Sequence, residues 1–249
     1  MANRIAVVTG GSKGIGQAIT AELARSNYRV IATYRQDRET AEKSVEAINR
    51  SVGSDIVQTF QMDVRDPDSV TAVFDRVKTL YGHLDLLVNN AATELSTYID
   101  EQTLSDWKTV LDTKLVGAFL CTKAALELFQ ESDTPSMVAI SSFEAEQASP
   151  EFTAYAVANA GLDAFIKSMA QFLPKYGARA NAVCPGPVNT PLWGPDQENE
   201  ELWKELAEAN PTGRNATPED IAQTVRMIAE EPTRMVNGNF VYVLSLIHI

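Results

Sequence analysis

The stretch Thr9-Gly10-Gly11-Ser12-Lys13-Gly14-Ile15-Gly16 lies between a short apolar run, residues 5–9, and a segment, 17–26, whose apolar residues recur at helical spacing. Glycines between a strand and a helix permit a tight turn and a close approach of the backbone to a phosphate. The helix that follows offers free N–H groups to the anion. The spacing G-x-x-x-G-x-G in this position therefore predicts a loop that holds the phosphates of a dinucleotide.

Outward from this loop, short apolar runs alternate with amphipathic segments along the chain, with a helix break expected near Asp112 or Gly117. Such alternation implies right-handed crossovers and a parallel sheet. The sequence predicts one α/β domain, a doubly wound parallel seven-stranded sheet of the Rossmann type over residues 1–243. The predicted strands are 5–9, 28–34, 56–62, 84–88, 137–140, 179–183 and 240–243. The predicted helices are 17–26, 40–51, 68–81, 104–130, 153–172, 198–209 and 218–230.

The composition argues against several classes of protein. With 249 residues, 45% of them hydrophobic, the chain can build one well-buried core, and its net charge of −12 would repel a nucleic acid. Cys121 and Cys184 have no CxxC partner and the two histidines are His83 and His248, so neither a disulfide scaffold nor a metal site is expected. No apolar run approaches the roughly 20 residues that span a bilayer, and no signal peptide is recognisable. We expect a soluble, cytoplasmic protein with no membrane partner.

The glycine loop and four further elements, in the expected order, resemble the short-chain dehydrogenase/reductase family. The resemblance covers residues 4 to about 243 and is closest to NADP-preferring members of the 3-oxoacyl-reductase type. It implies an oxidoreductase that acts on a small-molecule substrate, although the active site is atypical. The further elements are Asp63-Val64, Asn89-Asn90-Ala91-Ala92, the pair Ser142 and Tyr155, and Asn181-Ala182-Val183-Cys184-Pro185-Gly186-Pro187-Val188-Asn189-Thr190.

The cofactor expected from the sequence is NADP(H). The second strand ends in Tyr34-Arg35 with no carboxylate before Asp37, and Arg35 and Lys13 could bind a 2′-phosphate that an acidic residue would repel. The alternative is that both are ordinary surface cations. The resemblance implies cofactor contacts at Gly10, Ser12, Lys13, Gly14, Ile15, Gly16, Tyr34 and Arg35, at Asp63 and Val64 (adenine), at Asn90 and Ala91 (ribose), and at Pro185, Gly186, Val188 and Thr190 (nicotinamide).

The catalytic elements of the family are altered. The chemistry needs a tyrosine as acid/base, a lysine one helical turn later that lowers the tyrosine pKa, and a serine that orients the substrate oxygen. Here Ser142 and Tyr155 are present, but the lysine position is Asn159. The helix that normally carries the catalytic asparagine has Lys114 in that place, so the two residue types have exchanged positions.

Two interpretations of this exchange remain open. In the first, Lys114 restores the positive charge beside Tyr155, and the protein reduces a carbonyl or an imine. In the second, Asn159 marks a cofactor-binding protein without redox turnover, which acts as a regulatory or structural subunit. A non-redox reaction such as an elimination is a third possibility.

The remaining expectations concern the substrate and the assembly. Phe143, Glu144 and Glu146 follow the catalytic serine and are expected to face the substrate, where carboxylates suit a polar or cationic molecule. Trp193 and Trp203 lie in a region that is a mobile lid in the resembling family. The same resemblance implies a homotetramer or homodimer built on the helices at 104–130 and 153–172. Residues 244–249 lack the family's Asp-Gly-Gly element, so we interpret them as a non-native or truncated tail, with a divergent C-terminus as the alternative.

Overall fold

Apolar, β-branched runs form the strands because each is buried on both faces of a parallel sheet. The structure, a computed structural model, describes residues 4–230, 232 and 234–244. Within these residues seven parallel strands form one sheet in the order β3-β2-β1-β4-β5-β6-β7. The strands are β1 (Arg4–Val8), β2 (Tyr28–Tyr34), β3 (Val57–Gln61), β4 (Leu86–Asn89), β5 (Ser136–Ile140), β6 (Arg179–Pro185) and β7 (Phe240–Val243).

The helices pack on both faces of the sheet and bury their apolar stripes against it. One core joins β1 and β4 to α1, α2 and α9, and a second core on the other face joins the sheet to α3, α5 and α7. The helices are α1 (Gly14–Arg25), α2 (Arg38–Val52), α3 (Pro67–Tyr81), α4 (Leu104–Leu111), α5 (Gly117–Gln130), α6 (Glu144–Gln147), α7 (Thr153–Phe172), α8 (Glu200–Ala209) and α9 (Pro218–Ala229).

The predicted seven-stranded doubly wound sheet is confirmed, and so is the break in the helix 104–130. The break is a π-helical turn, Asp112–Val116, between α4 and α5, in which the Gly117 N–H bonds the Asp112 carbonyl. Two local expectations are corrected. The acidic helix starts at Glu200, because the Pro191–Glu198 segment before it is a kinked 3₁₀ turn, and the short α6 was not predicted.

The order of the strands determines where a ligand can bind. The chain leaves β1 toward one face and β4 toward the other, so a crevice opens between their carboxyl ends. The glycine loop follows β1 and the loop 90–103 follows β4, so both border this crevice. No helix among the described residues is long and apolar enough to cross a bilayer. Of the tail 244–249, Leu244 is described and buried, and the other five residues lie outside the described part of the chain.

Arg179 joins the end of α9 to the segment that leads into β7. Its guanidinium donates to the carbonyls of Val236, Ile228 and Ala229 at 2.8–3.1 Å, and the side chain is buried. We expect Arg179→Met to lower the free energy of unfolding by about 3 kcal/mol, because three buried carbonyls lose a charged donor. Urea denaturation measures the change.

The matched control for this substitution is Arg50→Met, since Arg50 is exposed on α2. It should change the free energy of unfolding by less than about 0.5 kcal/mol. Equal stability of the Arg179 and Arg50 variants would show that the link between α9 and β7 does not depend on Arg179.

Candidate active site

The glycine loop turns sharply because two of its residues have left-handed backbone conformations. Gly10 has φ +63° and Gly14 has φ +51°, which favour glycine. Gly16 lies so close to the first turn of the loop that an added Cβ would come within 2.2 Å of the Gly10 carbonyl oxygen. Helix α1 begins at Gly14, and among the described residues no side chain caps it and no acidic residue occupies its first turn. Its N–H groups are therefore available to an anion.

Asn90 fixes this loop to the end of β4. Its Nδ2 donates to the carbonyls of Thr9 and Gly10 at 2.8 and 3.2 Å. The Thr9 hydroxyl accepts from the backbone N–H groups of Asn90 and Ala91, both at 2.9 Å. The Asn-Asn-Ala-Ala element thus positions the glycine loop, in addition to the ribose contact expected for Asn90 and Ala91 from the resemblance.

Lys13 and Arg35, the two cations expected to bind a 2′-phosphate, differ in whether a protein carboxylate already pairs with them. Lys13 forms an ion pair with Asp37 at 2.6 Å, and this contact lowers the pKa of Asp37 to about 2. The Arg35 guanidinium is exposed and, within the described part of the chain, makes one long hydrogen bond, to Gln36 at 3.4 Å. Asp63 is held by Arg65 through two hydrogen bonds of 2.9 and 2.6 Å. Arg35 is therefore available to a phosphate, whereas Lys13 would first have to leave Asp37.

A cavity of about 330 Å³ extends from the glycine loop to Ser142 and Tyr155. The expected site residues that line it are Gly10, Lys13, Gly14, Ile15, Gly16, Asn90, Lys114, Ser142, Tyr155, Pro185, Gly186, Val188 and Thr190. Those outside its lining are Ser12, Tyr34, Arg35, Asp63, Val64, Ala91 and Asn159. Lining residues that the sequence did not single out include Ala92, Glu94, Phe152 and Leu192.

Lys114 lines this cavity and lies in the π-helical turn, a departure from α-helical geometry that often occurs at functional sites. Its side chain is 3% exposed, and its Nζ donates to the Ile140 carbonyl at 2.7 Å. The Nζ also lies 5.6 Å from the centroid of the Tyr155 ring. Burial lowers the pKa of Lys114 to about 8, although the charges of Asp163, Cys184 and Glu94 act in the opposite direction.

Tyr155 and Asn159 lie one turn apart on α7, and both are buried. The Asn159 Nδ2 donates to the Tyr155 backbone carbonyl at 2.9 Å, and its Oδ1 accepts no hydrogen bond from any described residue. Burial raises the pKa of Tyr155, and Glu94 raises it further, while the polar side chains of Asn159 and Ser142 lower it. Burial and carboxylate charge are thus the influences that raise this pKa, and they act against the lowering that was expected from a lysine.

Glu94 is a titratable residue of the cavity that the sequence patterns did not indicate. It lies in the irregular loop after β4, where no periodicity marks it. Burial raises the pKa of its carboxyl to about 7, Glu144 adds to the rise, and Lys114 opposes it. Its place after the carboxyl end of a central strand is the signal that could have found it. Of the two carboxylates expected to face the substrate, Glu144 lines the cavity, whereas Glu146 bonds the Tyr242 hydroxyl and lies outside the lining.

Comparison with known proteins identifies the family. Residues 10–244 match the family model described as Enoyl-(Acyl carrier protein) reductase. The chain is a short-chain dehydrogenase/reductase. The 3beta-hydroxysteroid dehydrogenase 1 of Eggerthella lenta is 31% identical over 238 residues, which cover 95% of this chain and 90% of that protein. The 3-oxoacyl-(acyl-carrier-protein) reductase of Synechocystis sp. is 32% identical over 230 residues, with 92% and 90% covered.

The comparison with solved structures agrees with this assignment. The crystal structure of gox2181 matches this short-chain dehydrogenase/reductase with a TM-score of 0.89 and 31% identity, over 98% of this chain and 95% of that chain. The two relatives are by name a dehydrogenase and a reductase, and homologues of this kind use a nicotinamide dinucleotide. The glycine loop fits such a cofactor, because the position of Gly16 leaves no room for a side chain and the N–H groups at the start of α1 are free to bind a pyrophosphate.

The close contact at Gly16 can be tested by substitution. In Gly16→Ala the new Cβ would collide with the Gly10 carbonyl and with Asn90 Nδ2, 2.6 Å away, so the loop must deform. We expect the Kd for a nicotinamide dinucleotide to rise at least about tenfold, since the phosphates lose several N–H donors at once. Quenching of protein fluorescence by NADPH measures the Kd.

The control is Gly53→Ala, because Gly53 also has a positive φ (+67°) but no atom within 4 Å of its added Cβ. It should lower stability by about 1 kcal/mol without changing the Kd. If Gly16→Ala binds NADPH as tightly as the unmodified protein, the loop does not hold the phosphates.

Proposed function

We propose that this protein is an NADP(H)-dependent reductase of a carbonyl, or of an imine, on a small molecule. We further propose that Lys114 supplies the positive charge that a lysine at position 159 supplies in the usual family pattern. The observation that carries the proposal is the position of the Lys114 ammonium, buried at the substrate end of the cavity and 5.6 Å from the Tyr155 ring. An ammonium is seldom buried without a role, because its desolvation is costly.

The residues divide the chemistry between them. The dinucleotide, when bound, supplies the hydride. The Ser142 hydroxyl orients the substrate oxygen, and Tyr155 donates its proton to that oxygen as negative charge develops there. The Lys114 ammonium stabilises the resulting phenolate through its positive charge. The Asn159 side chain is buried outside the lining of the cavity and holds the Tyr155 backbone carbonyl, so we assign it a positioning role on α7 and no contact with the cofactor.

The preference for NADP(H) rests on Arg35. Its exposed guanidinium follows β2, the strand end where dinucleotide folds read the adenosine ribose. A guanidinium binds phosphate through two parallel hydrogen bonds, and the first carboxylate after it, Asp37, is already paired with Lys13. A 2′-phosphate would compete with Asp37 for Lys13 and bring a second cation to the same group.

We also infer that the protein forms a homodimer or homotetramer. Large apolar side chains are exposed along the helices α4, α5 and α7, where the family pattern places subunit contacts. Leu104, Phe119 and Val157 are 71%, 46% and 46% exposed in the isolated chain. Burial of these side chains against a second copy would remove an apolar surface that is unfavourable in water.

The exchange of lysine and asparagine predicts the effect of substitution. Lys114→Met should lower kcat by about 100-fold or more while the fold is retained, because methionine fills the buried site without its charge. The double variant Lys114→Asn/Asn159→Lys should recover kcat to within about tenfold, since it restores the usual family arrangement. Oxidation of NADPH with a panel of ketones, aldehydes and imines measures kcat. With unmodified protein, kcat should fall as pH rises through about 8, where the ammonium loses its proton.

Lys108→Met is the matched control, because Lys108 is exposed on α4. It should leave kcat within a factor of about two. Unchanged turnover in Lys114→Met would contradict the compensation. If NADPH binds to the unmodified protein but is never oxidised, the alternative of a cofactor-binding subunit without turnover is correct. Product formation without net cofactor consumption would instead indicate a non-redox reaction.

The cofactor preference is tested at Arg35 and Asp37. Asp37→Asn frees Lys13 but keeps the side-chain acceptor that caps α2 at the Thr40 N–H, so the fold should be unaffected. We expect it to raise the NADPH-over-NADH ratio of kcat/KM about threefold to tenfold, whereas Arg35→Leu should lower that ratio about tenfold.

Arg50→Leu, an equal loss of charge on the exposed face of α2, should leave the ratio unchanged. Should Arg35→Leu reduce the use of both cofactors equally, Arg35 and Lys13 are ordinary surface cations and the preference for NADP(H) is not encoded at this place.

A further inference from the structure

The substrate end of the cavity contains a carboxylate, Glu94, whose charge is offset at a distance by Lys114 and not by a direct partner. Glu94 lines the cavity with Ser142 and Tyr155, yet it makes no hydrogen bond or ion pair with any described residue. The other lining carboxylate, Glu144, is fully engaged, because its two oxygens accept from the N–H and the hydroxyl of Ser149, each at 2.9 Å. Glu94 is thus free to interact with whatever occupies the cavity.

The cations of the cavity leave Glu94 without a direct partner. The Lys114 Nζ points to the Ile140 carbonyl, and Lys13 lies at the glycine-loop end, paired with Asp37. A substrate with a carboxylate or phosphate next to its reacting group would face Glu94 and Glu144 together and be repelled. A positively charged substrate group would instead be attracted by both.

Aromatic side chains line the same cavity. Phe152 and Trp193 are among its walls, and Trp193 is held by an edge-to-face contact with Trp203, whose ring centroid is 5.1 Å away. The Trp203 indole N–H in turn donates to the Asp196 carbonyl at 2.9 Å. Aromatic faces attract cations, and the combination of such faces with a carboxylate is a common arrangement for binding ammonium groups.

We propose that the cavity takes carbonyl or imine substrates that carry a cationic nitrogen, and that Glu94 is the residue that binds it. The assignment of the reacting group rests on the proposed function above, whereas the binding of the cation does not. Glu94 acts here as a specificity residue, and Tyr155 and Ser142 remain the groups that face the reacting carbon and oxygen.

This arrangement links substrate binding to the acid/base residue. The negative charge of Glu94 is, after burial, the largest influence that raises the pKa of Tyr155. A cation bound by Glu94 cancels that charge and makes the Tyr155 hydroxyl a stronger acid when the correct substrate is present. A neutral ketone of the same shape would leave the charge of Glu94 uncompensated.

The first experiment measures binding without turnover. Choline and its uncharged isostere 3,3-dimethylbutan-1-ol are titrated calorimetrically into the protein, with and without NADPH. We expect Glu94→Gln to raise the Kd of choline about tenfold or more and to leave the Kd of the alcohol unchanged. Glu101→Gln is the matched control, because Glu101 is exposed on the same loop and bonds Thr97.

The second experiment measures turnover with a pair of ketones that differ only in charge, 5-(trimethylammonio)pentan-2-one and 6,6-dimethylheptan-2-one. In Glu94→Gln the KM of the charged ketone should rise about tenfold with kcat within about threefold, and the KM of the neutral ketone should not rise. A purely structural role of Glu94 would change both ketones alike.

The two experiments separate the two proposals. Binding of choline that depends on Glu94, with no reduction of either ketone, supports the cation site and contradicts the proposed reaction. Equal binding of choline by the unmodified protein and Glu94→Gln, or no binding by either, overturns the cation site whatever the turnover. An unchanged ratio of the two KM values in Glu94→Gln overturns it as well.

Discussion

The cost of burying the Lys114 ammonium is the constraint on which the arrangement of the active site depends. An ammonium taken out of water needs compensation, and here the Ile140 carbonyl accepts one of its hydrogen bonds while Asp163 and Glu94 contribute negative charge. Lys114 lies in the π-helical turn, and its Nζ reaches the backbone carbonyl of the last residue of β5. The charge is therefore present at the substrate end, although it comes from a different helix than in the usual family pattern.

The proposed role of Lys114 would also account for the asparagine at position 159. Both positions are buried, so a lysine at position 159 would add a second desolvated ammonium to the one at Lys114. An asparagine avoids that desolvation, and its Nδ2 is satisfied by the carbonyl of Tyr155 one turn earlier on α7. In the proposed mechanism the exchange keeps one cation and one amide in the site, and the two changes compensate each other.

The parts of the structure that could be predicted from sequence are those with local signals. The seven strands and the order of strands and helices follow from apolar runs and helical periodicity, and the break at Asp112–Val116 was expected near its place. The ion pair of Lys13 with Asp37 could not be foreseen, because it joins side chains 24 residues apart whose rotamers depend on the packing of two loops. Glu94 was missed for a related reason, since an irregular loop has no period that shows which side chains turn inward.

The carboxylates and the ammonium of the cavity shift one another's pKa values and determine which ligand charge the cavity favours. Burial lowers the pKa of Lys114 and raises the pKa values of Glu94 and Tyr155, so each group is shifted toward its neutral form. A cavity of this kind favours a ligand whose charge balances that of the buried groups. Because these groups are already desolvated in the folded protein, that balance makes binding selective for the charge of the ligand. Glu94 opposes the ionisation of Tyr155, so the acidity of the tyrosine depends on what lies beside Glu94. In the proposed mechanism the recognition of a charged substrate and the transfer of a proton both follow from the same buried electrostatics.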